Sequence, residues 1–154
     1  DSRRNAKYKS LKFKDKARDM KVYDLAWHKK KTMNENISVL VVDDNLSLAE
    51  SLRDVLELKG FIAYGVNSGA DALVILGEHE VDILLTDVIM PEMDGVALYM
   101  ATKKIYPQLT TILMTAYSAD DLIQKGMAEG IKTVLNKPVD IEFLVMILRA
   151  AGRK

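Results

Sequence analysis

The chain has no cysteine among its 154 residues, only three prolines and one tryptophan, and aromatic residues make up 6% of it. Without cysteine there is no disulfide, no thiolate metal site and no cysteine nucleophile. Such a composition suits a reducing compartment, and a cytoplasmic location is the expectation. Long apolar runs are missing as well. Phe143–Leu148 is typical of the longest and falls far short of the roughly 18 residues of a spanning helix. The basic N-terminal stretch leads into no apolar segment, so neither a secretory signal nor a membrane span is expected. With 22 basic and 22 acidic side chains the formal net charge is zero, which excludes a uniformly basic nucleic-acid binder. No repeat or low-complexity segment is evident.

Hydrophobic residues make up 49% of the chain, enough to build a core. At roughly 150 residues per domain, the length predicts one domain with an appendage. The neutral total hides an asymmetry. Residues 1–33 hold 12 Lys or Arg against four Asp, a net +8, and residues 34–154 hold 10 basic against 18 acidic side chains, a net −8. In the basic arm Tyr8, Phe13 and Trp27 are scattered without a sustained 3.6-residue period, so it reads as disordered or weakly helical. A disordered arm, or a stretch outside the functional unit, is favoured over a nucleic-acid contact. The domain proper is placed at residues 34–154. His28 and His79 lack ligand spacing and read as surface residues.

From Ile37 the pattern changes. Five short apolar runs each stop at a polar residue: Ile37–Val42 before Asp43, Phe61–Val66, Val81–Thr86 before Asp87, Thr110–Met114 before Thr115, and Lys132–Leu135 before Asn136 and Lys137. Between and after them lie five stretches with helical signals. The first carries Leu48, Leu52, Val55 and Leu56 at helical spacing and stops at Gly60. The others span Ala70–Leu76, Val96–Ile105, a stretch opened by Ser118 or Asp120, and one capped by Asp140. Apolar strands alternating with helical crossovers predict an α/β fold, a doubly wound parallel sheet with helices on both faces.

In such sheets ligands bind outside the carboxyl ends of the strands, and there the polar residues fall. Alone, Asp43-Asp44 reads as a helix cap with a solvated neighbour, Lys137 as a solvated lysine and Thr115 as a strand-end hydroxyl. Together they read differently. Three carboxylates at close quarters repel unless a cation joins them, and Mg²⁺ suits one or two carboxylates with several waters. Mg²⁺, an ammonium and a hydroxyl form a clamp for a phosphoryl group, and the remaining carboxylate is a nucleophile that yields an acyl phosphate.

The combination Val-Val-Asp43-Asp44, Thr-Asp87-Val-Ile-Met-Pro91-Glu-Met-Asp94-Gly95, Met-Thr115-Ala-Tyr and Asn-Lys137-Pro138 resembles the receiver domain of two-component response regulators. The likeness runs from about Ile37 to Ala151, and the wording around Asp87 and Thr115 is closest to nitrogen-regulator-type receivers. It implies a flavodoxin-like strand order 2-1-3-4-5. It also implies Asp87 as phosphoacceptor from a histidine kinase and Asp44 as a direct Mg²⁺ ligand. Asp43 would ligate largely through water, and the backbone carbonyl of Ile89 would be a further ligand. Thr115 and Lys137 would meet the phosphoryl oxygens, and the Lys137–Pro138 bond would be cis. One position departs from the pattern: Val134 stands three residues before the lysine, where receivers usually carry Tyr or Phe. An aromatic rotamer switch is therefore not expected there. Ile89 and Tyr117 flank the expected site and are expected to shield an acyl phosphate from water.

The function expected is a stand-alone receiver, phosphorylated on Asp87 by a histidine kinase or phosphotransfer protein with Mg²⁺ present. It would catalyse only its own phosphorylation and dephosphorylation. Ala151 lies three residues from the end, so output through a downstream protein partner is expected. A homodimer through the helix 4–strand 5–helix 5 face, with Ile123, Met127, Val134, Ile141 and Met146 as candidates, is a further option. Three alternatives stand beside this. One is an intermediate receiver of a hybrid-kinase phosphorelay, and another a non-phosphorylated module whose acidic pocket holds Mg²⁺. The third, an aspartate-nucleophile phosphatase, usually carries a second Asp two residues after the nucleophile, where this chain has Ile89.

Overall fold

The computed structural model describes residues 36–116 and 119–152. The basic arm at residues 1–33, with His28, and the positions Tyr117 and Ser118 lie outside them.

Strands β1 (Ser38–Val42), β2 (Ile62–Val66), β3 (Ile83–Asp87), β4 (Thr110–Thr115) and β5 (Thr133–Asn136) form one parallel sheet in the order β2-β1-β3-β4-β5. Helices α1 (Leu46–Leu58), α2 (Gly69–Glu78), α3 (Gly95–Thr102), α4 (Asp120–Ala128) and α5 (Ile141–Gly152) connect or follow them. The fold class and strand order agree with expectation.

The side-chain period of two sorts each strand between two layers. Val39 and Val41 of β1, Ile83 and Leu85 of β3, and Ile112 and Met114 of β4 share one core with Leu56 of α1 and Leu144 and Leu148 of α5. Leu40, Val42 and Leu84 face the other way, into a core with Ala72 and Leu76 of α2 and Leu98 of α3. Leu113 and Ile131 pack with Val88 and Val96, and Leu122, Ile123 and Val134 close that third cluster. Helices α1 and α5 thus cover one face, and α2, α3 and α4 the other. Strands β1 and β3 are buried on both faces, which is why they read as continuous apolar runs instead of alternating ones.

Caps explain most helix starts. Asn45, Ser68, Asp94 and Asp140 each accept a bond from a backbone N–H three residues on, satisfying a donor the first helical turn leaves open. Gly60, at φ +100, takes the left-handed conformation that ends α1. Strand bounds fall within two residues of the sequence expectation, and two helix ends differ for a visible reason. Helix α2 runs through Gly77 to Glu78, because Gly77 keeps a helical backbone and His79, extended at φ −135, ends it. Helix α3 stops at Thr102 instead of Ile105. The Thr102 hydroxyl donates to the Tyr99 carbonyl, a local bond that competes with helix propagation.

Candidate functional site

The strand order reverses at β1, which pairs with β2 on one side and β3 on the other. Crevices in doubly wound sheets open at such a point. Val42 is in register with Thr86, so the next residues, Asp43 and Asp87, stand side by side at the carboxyl edge. Thr115 pairs with Asn136, which carries Lys137 to the same edge, and the Lys137 N–H donates to the Thr115 carbonyl at 2.8 Å. The Lys137–Pro138 peptide is cis, as the resemblance implied.

Asp43, Asp44 and Asp87 bring one carboxylate oxygen each within 4.8 Å of the others. Asp43 and Asp87 are buried and Asp44 is exposed. The Lys137 ammonium bridges two of them, donating to Asp43 Oδ2 at 2.5 Å and to Asp87 Oδ2 at 3.1 Å. Asp43 Oδ1 accepts the backbone N–H of Asn45 at 2.9 Å. Asn45 was not among the expected site residues, yet the same residue caps α1 and fixes the Asp43 carboxylate. Its signal was the Asx-type residue right after the acidic pair.

An apolar cavity of about 240 Å³ opens beneath this edge between α1 and α5. Asp43 and Lys137 share its lining with Leu52, Val55, Met114 and Val139. Burial at this sheet edge has consequences for charge. Burial pushes the Asp87 carboxyl above its ordinary range; Lys137 opposes the shift, while Asp43 and Asp44 add to it. Burial pulls Lys137 down, but its bonds to Asp43 and Asp87, and their charges, more than offset this and raise it. The two directions fit one picture. One ammonium is shared by Asp43 and Asp87, beside a third carboxylate on Asp44, and stays charged, while Asp87 is left short of positive charge. A divalent cation with oxygen ligands fits this donor set, because it supplies the missing charge.

Thr115 is buried at the end of β4, one residue beyond Met114, the register partner of Asp87. Ile89 lies two residues after Asp87 in the β3–α3 loop, 45% exposed. That loop, residues 88–94, returns so that α3 begins hard against β3: a Cβ added at Gly95 would overlap the carbonyl oxygen of Asp87. Asp94 is the α3 cap. His79 is exposed and stacks on Tyr64 at 4.7 Å, away from the acidic site. Met127 and Met146, candidates for the helix 4–strand 5–helix 5 face, are 49% and 60% exposed, and Phe143, read from the sequence as packing between helices, is 48% exposed. They lie on turns of α4 and α5 that face away from the sheet.

The response regulator receiver domain profile matches residues 39–149, and the chain belongs to that family, a signalling domain of two-component systems. It is 36% identical over 118 residues to the transcriptional regulatory protein ZraR of Escherichia coli K12, covering 77% of this chain and 27% of ZraR. It is 37% identical over 114 residues to the DNA-binding transcriptional regulator NtrC of Proteus hauseri, covering 73% of this chain and 24% of NtrC. The chain thus spans about a quarter of the length of these relatives. Among solved structures, a response regulator receiver domain from Clostridium thermocellum superposes with a TM-score of 0.71 at 28% identity, covering 75% of this chain and 94% of that one.

Proposed function

We propose that Asp87 accepts a phosphoryl group from the phosphohistidine of a histidine kinase or phosphotransfer protein, in a reaction that requires Mg²⁺. The observation that carries this reading is the convergence of Asp43, Asp44 and Asp87 at one sheet edge with Lys137 bridging two of them. Asp43, Asp44, Asp87 and the Ile89 carbonyl would hold the ion. Bound there, it supplies positive charge to the transferring oxygens.

The chain's own groups do the rest. Lys137 holds Asp87 Oδ2 and so orients the carboxylate, leaving Oδ1 to attack phosphorus. The P–O bond forms as the P–N bond breaks, and the imidazole nitrogen keeps the electron pair and takes up a proton. Lys137 and the Thr115 hydroxyl then face the phosphoryl oxygens. The new charge draws Thr115 inward. Val134 packs in the cluster of Val88, Leu113 and Ile131, so the movement passes on by repacking of that cluster instead of the swing of a ring. Exposed Met127, Phe143 and Met146 on α4 and α5 offer the output surface, for a protein partner or a second copy.

Intact mass after incubation with acetyl phosphate and Mg²⁺ tests the reading. One phosphoryl group should be gained, and none by Asp87→Asn or without Mg²⁺. Bound Mg²⁺ with no gain, from acetyl phosphate or a kinase, would leave a binding module.

A further inference from the structure

The β3–α3 loop is tied down at its ends. The Val88 N–H donates to the Met114 carbonyl at 2.9 Å, and the Gly95 N–H donates to the Val88 carbonyl at 2.8 Å. Between them the chain turns sharply. Glu92 has φ +69, a left-handed conformation that is costly for a residue with a Cβ. The Met93 N–H closes a tight turn onto the Pro91 carbonyl at 2.7 Å. Such a backbone persists only where its surroundings hold it.

Met93 provides the hold. Its side chain packs against the core of Leu40, Val42, Ala72 and Leu98 and sits on the first residue of α2. A Cβ added at Gly69 would lie 2.6 Å from Met93 Sδ and 3.1 Å from both its Cγ and its Cβ. The sulfur can swing aside. The Cβ is fixed to the main chain, so a side chain at position 69 displaces the loop itself by a few tenths of an ångström.

We infer that Gly69 is a positioning residue for the cation site. Its contact with Met93 sets the height of the loop that presents the Ile89 carbonyl, and thereby tunes Mg²⁺ affinity from a helix that holds none of the ligands. The inference rests on the reading above, in which that carbonyl is a ligand. Ion size gives it a signature. Mg²⁺ demands near-octahedral geometry at about 2.0–2.1 Å, whereas Ca²⁺ accepts about 2.3–2.6 Å in flexible arrangements. A small displacement of one oxygen therefore penalises Mg²⁺ more than Ca²⁺.

Calorimetric titration of the full chain with Mg²⁺ or Ca²⁺ tests this. Gly69→Ala should weaken Mg²⁺ binding about tenfold, the lower end for residues that orient ligands, and Ca²⁺ binding by less than about threefold. Met93→Ala, which deletes the anchor instead of crowding it, should also weaken Mg²⁺. The double variant should be no worse than the weaker-binding single one, because both changes act through one contact. Unchanged Mg²⁺ affinity in folded Gly69→Ala, equal losses for the two ions, or losses that multiply in the double variant would each overturn the inference. The Met90 amide, which shares a peptide unit with the Ile89 carbonyl, keeps the underlying reading separate. If its NMR signal in the wild-type chain does not shift with Mg²⁺, the ligand assignment fails first and the inference with it.

Discussion

At the scale of single residues, charge dominates. Asp87 is raised because burial and two neighbouring carboxylates outweigh Lys137. A carboxyl raised in the fold costs stability once it is ionised in both states, that is, at pH above its raised value. Below the ordinary carboxylate range it is protonated in both states and contributes nothing. Metal-free Asp87→Asn should therefore melt higher than wild type at pH 7, and the gain should fade as the pH falls through that range. Mg²⁺ should raise the midpoint of the wild type more than that of the variant, because the variant has lost a charged ligand. Lys137→Met has a different signature. It removes the ammonium bonded to Asp87, which in the proposed reaction also faces the phosphoryl oxygens, so phosphorylation by acetyl phosphate should slow about 100-fold. Time-resolved intact mass reads that rate. These site residues were legible in the sequence because each follows the end of an apolar run. The tie from Asn45 to Asp43 was not, since it depends on the fold of the loop after β1.

At the scale of elements, the site depends on how closely helices start behind strands. Gly95 opens α3 against the end of β3, where a side chain would meet the Asp87 carbonyl. Backbone on that side is held by the bond from the Gly95 N–H to the Val88 carbonyl, so it has little room to yield. Gly95→Ala should cost about 3 kcal/mol of stability, in the range of overpacked or strained core positions; urea unfolding in the absence of Mg²⁺ measures it. Element types were legible from periodicity, and the start of α5 from its cap Asp140. Ends were harder. Gly77 looks like a stop but stays helical, while Thr102 looks helical and ends α3 through a bond to its own preceding turn.

At the scale of the whole molecule, the question is which apolar residues are left outside the cores. On α5, Leu144, Val145 and Leu148 are buried, while Phe143 and Met146 are exposed; Met127 on α4 is exposed with them. We propose these exposed side chains as the output surface. Phosphorylation should shift the chain toward dimers at tens of micromolar protein, and Phe143→Glu with Met146→Glu should abolish the shift while leaving phosphorylation intact. Sedimentation velocity with and without acetyl phosphate distinguishes the outcomes. A phosphorylated chain that stays monomeric would assign this surface to a different protein partner.

The sequence by itself determined the five strand–helix units, the parallel sheet, and the chemical set of three aspartates, a threonine and a lysine. Strand ends and helix caps are local signals, written in neighbouring residues. Only the tertiary structure decided which of these groups meet. Register places Asp43 beside Asp87, and Lys137 is shared between them so that Asp87 is left short of positive charge. It alone placed Met93 on Gly69, across the gap between α2 and the β3–α3 loop. And it turned Phe143 and Met146 outward, because an apolar residue on a helix is core or surface according to what the next layer covers.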